Sequence, residues 1–169
     1  MTDLGYLCRC CGERHEGMPF SYGPTAPAQW RDELADDERS MLDSDLCIIE
    51  ARFFYVRGRI VIPVLDAEPE FDWLVWVSLS RPNFERMLDV WTTPGREQEP
   101  PYFGWLCTEL PVYPATTLSL KTHVHTQRVG KRPHIELEAT DHPLAVEQRT
   151  GITLSRVQEF AELLLHPDA

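Results

Sequence analysis

The chain is poor in positive charge. Its 16 Lys and Arg stand against 27 Asp and Glu, a formal net charge of -11. Nucleic-acid affinity comes from Lys and Arg that displace the counterions of a phosphate backbone, so this deficit argues against nucleic acid and against an anionic membrane as partners. Long apolar runs are missing too. No stretch approaches the roughly 20 apolar residues of a membrane span, and the first residues have neither the basic start nor the apolar segment of a secretory leader. A cytoplasmic protein is expected. There is no G-x-S-x-G elbow, no Walker loop, no G-x-G-x-x-G after a strand and no H-E-x-x-H, so the common catalytic signatures are absent. Neither internal repeats nor low-complexity tracts occur.

What is present is enough for one ordinary core: 169 residues, 43% of them hydrophobic. A single domain over residues 1–169 is expected, with residues 1–20 as a cysteine-rich turn packed on the main sheet. The centre of the pattern is FDWLVWVSLS, Phe71 to Ser80. Phe71, Trp73, Val75, Val77 and Leu79 form an apolar row at period two, and Leu74 and Trp76 add apolar character to the other side. That describes a strand inside a sheet, with a neighbour on each edge.

Around it the chain reads as strands and a few helices. Pro27 fits the first turn of a helix carrying Trp30 and Leu34. Asp32, Glu33, Asp36, Asp37 and Glu38 would give that helix an acidic face, either simply solvated or a docking face for a basic protein partner. Leu46 to Val64 reads as a hairpin turning at Arg57-Gly58. Ser80 caps a helix with Phe84, Met87, Leu88 and Trp91 on one stripe. YFGWLCTEL is a strand in which Gly104 marks a bulge or a close backbone approach. Leu118 to Glu138 reads as a second hairpin with Gly130-Lys131 as a two-residue turn, which sets His125 opposite Glu136, His123 opposite Glu138 and Val124 opposite Leu137. Asp141 caps a short helix ending at Gly151, and a last helix near Thr153 to His166 buries Val157, Phe160, Ala161 and Leu164. The expected fold class is α+β: a mainly antiparallel β-sheet of about five or six strands, helices packed on one face, and an N-terminal zinc-knuckle-like cysteine turn.

Three places could carry chemistry. Cys8-x2-Cys11-Gly12 is a local claw for one ion, because the turn aims both sulfurs inward. Zinc suits thiolate donors, and a structural site needs four ligands. The set Cys8, Cys11, His15 and Cys47 is expected, with Cys10 and His142 as replacements; the bland alternative is a turn with two reduced thiols. The second place is the His and Glu row of the late hairpin, with His134 nearby, which alternation explains equally well as the wet side of a sheet. The third is Asp141-His142-Pro143, an orienting pair or ordinary helix-start chemistry. Cys107 has no basic neighbour in sequence and reads as a small buried hydrophobe.

CRCCGERH, SDLCII, VRG, LVWVSLS, YFGWL followed by LPVYP, KRPHIELE and DHPLAVEQRTGI, in that order, resemble the bacterial domain of unknown function family numbered 2199. The resemblance spans nearly the whole chain. It implies no established activity, and it draws attention to Cys8, Cys11, His15, Cys47 and the Asp141-His142-Pro143 turn. The hairpin residues His123, His125 and His134 are not part of that pattern. Two functions follow as expectations: a zinc-stabilised, non-enzymatic protein-binding or regulatory module, or a metal-dependent hydrolase using His and carboxylate side chains.

Overall fold

The structure is a computed structural model describing residues 5–166; the ends of the domain expected over residues 1–169 lie outside the described residues. The strands are β1 (Tyr6–Leu7), β2 (Arg14–His15), β3 (Ser21–Tyr22), β4 (Met41–Leu42), β5 (Leu46–Ile49), β6 (Phe53–Ile62), β7 (Phe71–Leu79), β8 (Tyr102–Leu106), β9 (Lys121–His125) and β10 (His134–Leu137). The helices are α1 (Arg81–Asp89), α2 (Pro143–Thr150) and α3 (Leu154–Leu165).

The class is α+β, as the sequence predicts, and β7 lies between neighbours on both edges. Its partner along one edge is β6, antiparallel from Phe54↔Leu79 to Ile62↔Phe71. Its other edge is shared by β3, parallel at Ser21↔Asp72, and β8, antiparallel at Val77↔Leu106. β6 is flanked in the same way, by β5 and then by β10. Because β8, β9 and β10 pair in succession and β10 returns to β6 in parallel at His134↔Arg59, five strands close into a barrel. Closure leaves the sheet's outer edges to β3 and β4, strands of two residues each.

Phe71, Trp73, Val75 and Val77 point into the main core, where all three helices meet them: α1 through Phe84 and Met87, α2 through Leu144, α3 through Val157 and Phe160. The Phe160 ring lies 5.1 Å from Phe71 and 4.9 Å from Trp73. Each such buried aromatic contributes about 1.5–3 kcal/mol. Trp76, on the opposite face of β7, is buried in a second cluster with Leu34, Cys47, Ile49, Tyr55 and Cys107. Leu88, placed on the α1 stripe by spacing, is instead 41% exposed, and Leu164 is only half-buried.

Four expectations are corrected. Arg57-Gly58 is not a turn: β6 runs straight through it, and the hairpin turns at Glu50-Ala51, with φ of 56° and 53°. Positive φ at both centres is the type I′ geometry, which normally selects Asn or Gly. Here contacts from outside hold it: Ser40 Oγ accepts from the Glu50 N–H, the Arg39 carbonyl accepts from Ala51, and Arg81 donates to the Ala51 carbonyl. Gly58 has a different duty, since a Cβ there would sit 2.6 Å from Ile135 Cδ1 and 2.9 Å from the Pro133 carbonyl oxygen, where β10 closes the barrel. Gly104 is likewise a point of close approach, to Val77 and the Ser78 carbonyl.

The late hairpin does not turn at Gly130-Lys131. Residues 126–133 form a long loop, and the observed pairs are His125↔His134, Val124↔Ile135 and His123↔Glu136, two residues out of the expected register. The cause is Arg96. Its guanidinium is buried beneath the loop and donates to the carbonyls of Trp91, Gln127, Arg128 and Lys131 at 2.8–3.2 Å. These bonds use loop carbonyls that a tight hairpin would place in the ladder. A slip of two preserves the faces, so Val124, Ile135 and Leu137 stay buried while the His and Glu row stays outside.

The segment after Pro27 forms no α-helix; it carries one short 3-10 turn, Asp32–Asp36, with Leu34 alone buried. Finally, α2 is capped by His142, whose Nδ1 accepts from the Leu144 N–H at 3.1 Å, and not by Asp141.

Candidate metal centre

The N-terminal turn is a small antiparallel hairpin, β1 pairing with β2 through Tyr6↔His15 and Leu7↔Arg14. Within it the Glu13 carbonyl accepts from Cys8 and the Cys8 carbonyl accepts from Gly12, both at 2.9 Å. Gly12 has φ +73°, which a side chain would oppose. The Gly after the second cysteine therefore closes the turn, and Cys8 and Cys11 face the same side as His15.

The fourth member comes from the far end of α3. Donor atoms of Cys8, Cys11, His15 and His166 all lie within 4.8 Å of one another. Cys11 Sγ is 3.4 Å from His15 Nε2. The rings of His15 and His166 are 5.6 Å apart. In a tetrahedral zinc site, bond lengths of about 2.0–2.3 Å set donors roughly 3.3–3.8 Å from each other, so this set needs only small rotations to surround an ion. His166 Nε2 is buried without a hydrogen-bond partner. Leaving a buried nitrogen unpaired is costly, and metal ligation would satisfy it. The donor set Cys2His2 thus fits a metal.

Burial pushes the Cys8 thiol up, but hydrogen bonds from Cys11 and Cys10 outweigh it and hold the group below its ordinary value. The thiolate is the form that ligates. Cys10 goes the other way, raised by burial and by the neighbouring Cys8. Cys8, Cys10 and Glu162 form an overlapping group, but Glu162 is already engaged.

Glu162 locks the turn to α3. It accepts from the Arg9 backbone N–H at 2.6 Å and from the Arg9 guanidinium at 2.6 and 2.9 Å, while Gln158 donates to the Leu7 carbonyl. Tyr6 and Cys8 pack on Ala161 beneath. The turn therefore rests on α3, where the sequence reading set it on the sheet. Hydrogen bonds from Arg9 hold the Glu162 carboxyl at about 2, below its ordinary 4.5. A folded-state value below the unfolded one means stabilisation present above about pH 4.5 and lost as pH falls toward 2. Glu162→Gln is expected to cost about 1–2 kcal/mol at neutral pH and to flatten that acid limb. Acid unfolding of both proteins in chelator, followed by hydrogen exchange of residues 5–18, checks this; an unchanged limb would show that the pair does not hold the turn.

The other sequence-predicted positions lie elsewhere. Cys47 is fully buried beside Tyr55 and Trp76, its thiol pushed up to about 12 by burial, and it is not brought to the cluster. Cys107 shares that environment, and burial raises it as well. His142 Nδ1 caps α2 while Nε2 lies 3.1 Å from the Thr116 carbonyl, so both ring nitrogens are engaged in structural contacts and the residue is not part of the cysteine cluster. His166 was missed because nothing marks it locally; a His at the end of an amphipathic helix reads as surface.

The His and Glu row lines an open groove of about 770 Å³ with His134. Despite the altered register, His125 still reaches Glu136 at 3.2 Å and His123 reaches Glu138 at 3.6 Å, both diagonally. Burial, followed by Arg59, lowers the His134 pKa. Among the described residues, the groups of three or more His, Cys, Asp or Glu within metal-binding distance are both at the N-terminal turn. Among the described residues, no helix is long and apolar enough to cross a membrane.

No curated protein and no solved structure is significantly similar to this chain. The family described as "Uncharacterized protein conserved in bacteria (DUF2199)" matches residues 7–152, a stretch that includes Cys8, Cys11 and His15 and stops short of His166; the chain belongs to this family.

Proposed function

We propose that the protein is a zinc-stabilised, non-enzymatic binding or regulatory module of the cytoplasm, in which Cys8, Cys11, His15 and His166 hold one structural ion. The observation that carries this is the convergence of four protein donors, one of them a buried nitrogen with no other partner. Four protein ligands leave no position for a substrate or a reactive water, which is the mark of a structural site. The ion would join the N-terminal turn to the last helix, so its binding free energy would be folding free energy. The partner is a basic protein surface. Supporting it is the segment around the 3-10 turn, where Asp32, Glu33, Asp36 and Glu38 are exposed.

Elemental analysis of protein purified without a metal-affinity tag tests the reading. The expected result is one zinc per chain, lost in Cys11→Ser and retained in a His123→Ala, His125→Ala double variant. Zinc that follows the hairpin histidines instead would favour a hydrolase using the open groove. Stoichiometry far below one, with the Cys8 and Cys11 thiols free to react, would end both.

A further inference from the structure

A second site is built of positive charge in a chain that has little. A cavity of about 250 Å³ lies between the 126–133 loop, β6 and the segment after α1, and Arg57, Arg96, Lys131, Arg132 and Asp45 line it. Asp45 is the lone carboxylate in that lining, and it is already paired with Arg132 at 2.9 Å. Among the described residues, Arg57, Arg96 and Lys131 make no ion pair with a carboxylate. The lining therefore carries an excess of three positive charges, on a protein whose net charge is -11.

Two of these cations are at least partly withdrawn from water. Arg96 is 93% buried by its own fractional exposure of 7%, and its hydrogen bonds go to carbonyls, which spread the charge without cancelling it. Arg57 Nε is buried with no partner, although its Nη2 donates to the Pro24 carbonyl at 3.0 Å. Burial, followed by repulsion from Arg132, lowers the Arg57 pKa. An unpaired guanidinium N–H beside like charges is a cost that an anion would offset.

We propose that this cavity binds the phosphate group of a small molecule, with Arg57 and Lys131 as direct donors and Arg96 as the fixed charge beneath. The size agrees with a head group, since sites that enclose whole drug-sized ligands run to about 300–1,000 Å³. A neighbouring groove of about 820 Å³ that shares Asp45, Gly130, Lys131 and Arg132 with it gives room for the rest of such a molecule. Like-signed charge with low-dielectric walls concentrates the field. An acidic surface outside it would repel polyanions and leave small ones to enter. The site shares no residue with the cysteine turn, so it stands or falls separately from the zinc reading.

Calorimetric titration of the full chain with inorganic phosphate, at constant ionic strength set by chloride, is the test. One saturable site is expected, weakened roughly tenfold, the effect of one charge-assisted hydrogen bond, by Arg57→Gln and by Lys131→Ala. Lys121→Ala, on the outer face of β9, should bind as the wild type does. Lys131 is exposed on a loop, so that variant keeps the test valid if Arg57→Gln fails to fold. Glycerol phosphate in a parallel titration separates the sources: equal affinity supports a free ion, tighter binding the head of an organic molecule. Absence of saturable binding of both, or Lys131→Ala and Lys121→Ala binding alike, would overturn the proposal.

Discussion

Cys8→Ala and His166→Ala are each expected to abolish stoichiometric zinc and lower the melting temperature by roughly 6–12 °C. That range is the effect of about 3 kcal/mol at 2–4 °C per kcal/mol, which suits a domain of this size. The loss is moderate because the barrel and its helices form a core that the cysteine turn does not enter: Tyr6, Cys8 and Ala161 make a separate small cluster. The near-ultraviolet signal of Trp73 and Trp76 should persist while hydrogen exchange across residues 5–18 rises. Chelation should reproduce both changes in the wild type. Cys47→Ala provides the contrast, since that thiol sits in the cluster with Tyr55 and Trp76; it should lose stability through packing and keep the ion. A Cys8→Ala protein with unaltered exchange in this segment would show that the four donors meet for reasons unrelated to metal.

Arg96→Met should cost at least about 3 kcal/mol, because four carbonyls lose a charged donor and each acceptor left buried and unpaired costs about 1–3 kcal/mol. The substitution keeps apolar bulk and strips the donors from four carbonyls, those of Trp91, Gln127, Arg128 and Lys131. Arg96 also lies over the Trp91 ring at 5.3 Å, a contact that a thioether replaces only in part. Arg96→Lys should recover little, because one ammonium cannot reach carbonyls arranged around a planar fork. Urea unfolding gives the energy, and amide exchange over residues 126–133 gives the location. Glu97→Gln, next to it in sequence but exposed, should stay within about 0.5 kcal/mol. If Arg96→Met unfolds like the wild type, the loop is held by something other than this guanidinium.

Where a residue's role was set by its own neighbours, sequence alone revealed it. The two apolar sides of Phe71 to Leu79, the Ser80 cap, the Thr153 to His166 helix and the Cys8–Gly12 turn are all local patterns, and the structure contains them. Where the role depends on a distant contact, sequence misled. Gly58 resembled a turn glycine, but what excludes a side chain is Ile135, far along the chain. Glu50-Ala51 looked like strand, and only Ser40, Arg39 and Arg81 explain two positive φ angles there. Gly130-Lys131 gave the right faces and the wrong register because the loop answers to Arg96. The candidate metal site divides along the same line: three donors lie within one short turn, whereas His166 joins them only through the docking of α3.

That docking has a consequence for how the protein is made. Arg9 and Glu162 are 153 positions apart, so the cysteine turn has nothing to dock on until 153 further residues have been synthesised. Through translation, which proceeds at about 5–20 residues per second, Cys8, Cys10 and Cys11 remain exposed to whatever oxidants or competing metals the surroundings contain. A ribosome stalled before α3 emerges should therefore present three reactive thiols, and completion of that helix should protect Cys8 first, since Cys8 alone of the three is buried in the finished fold.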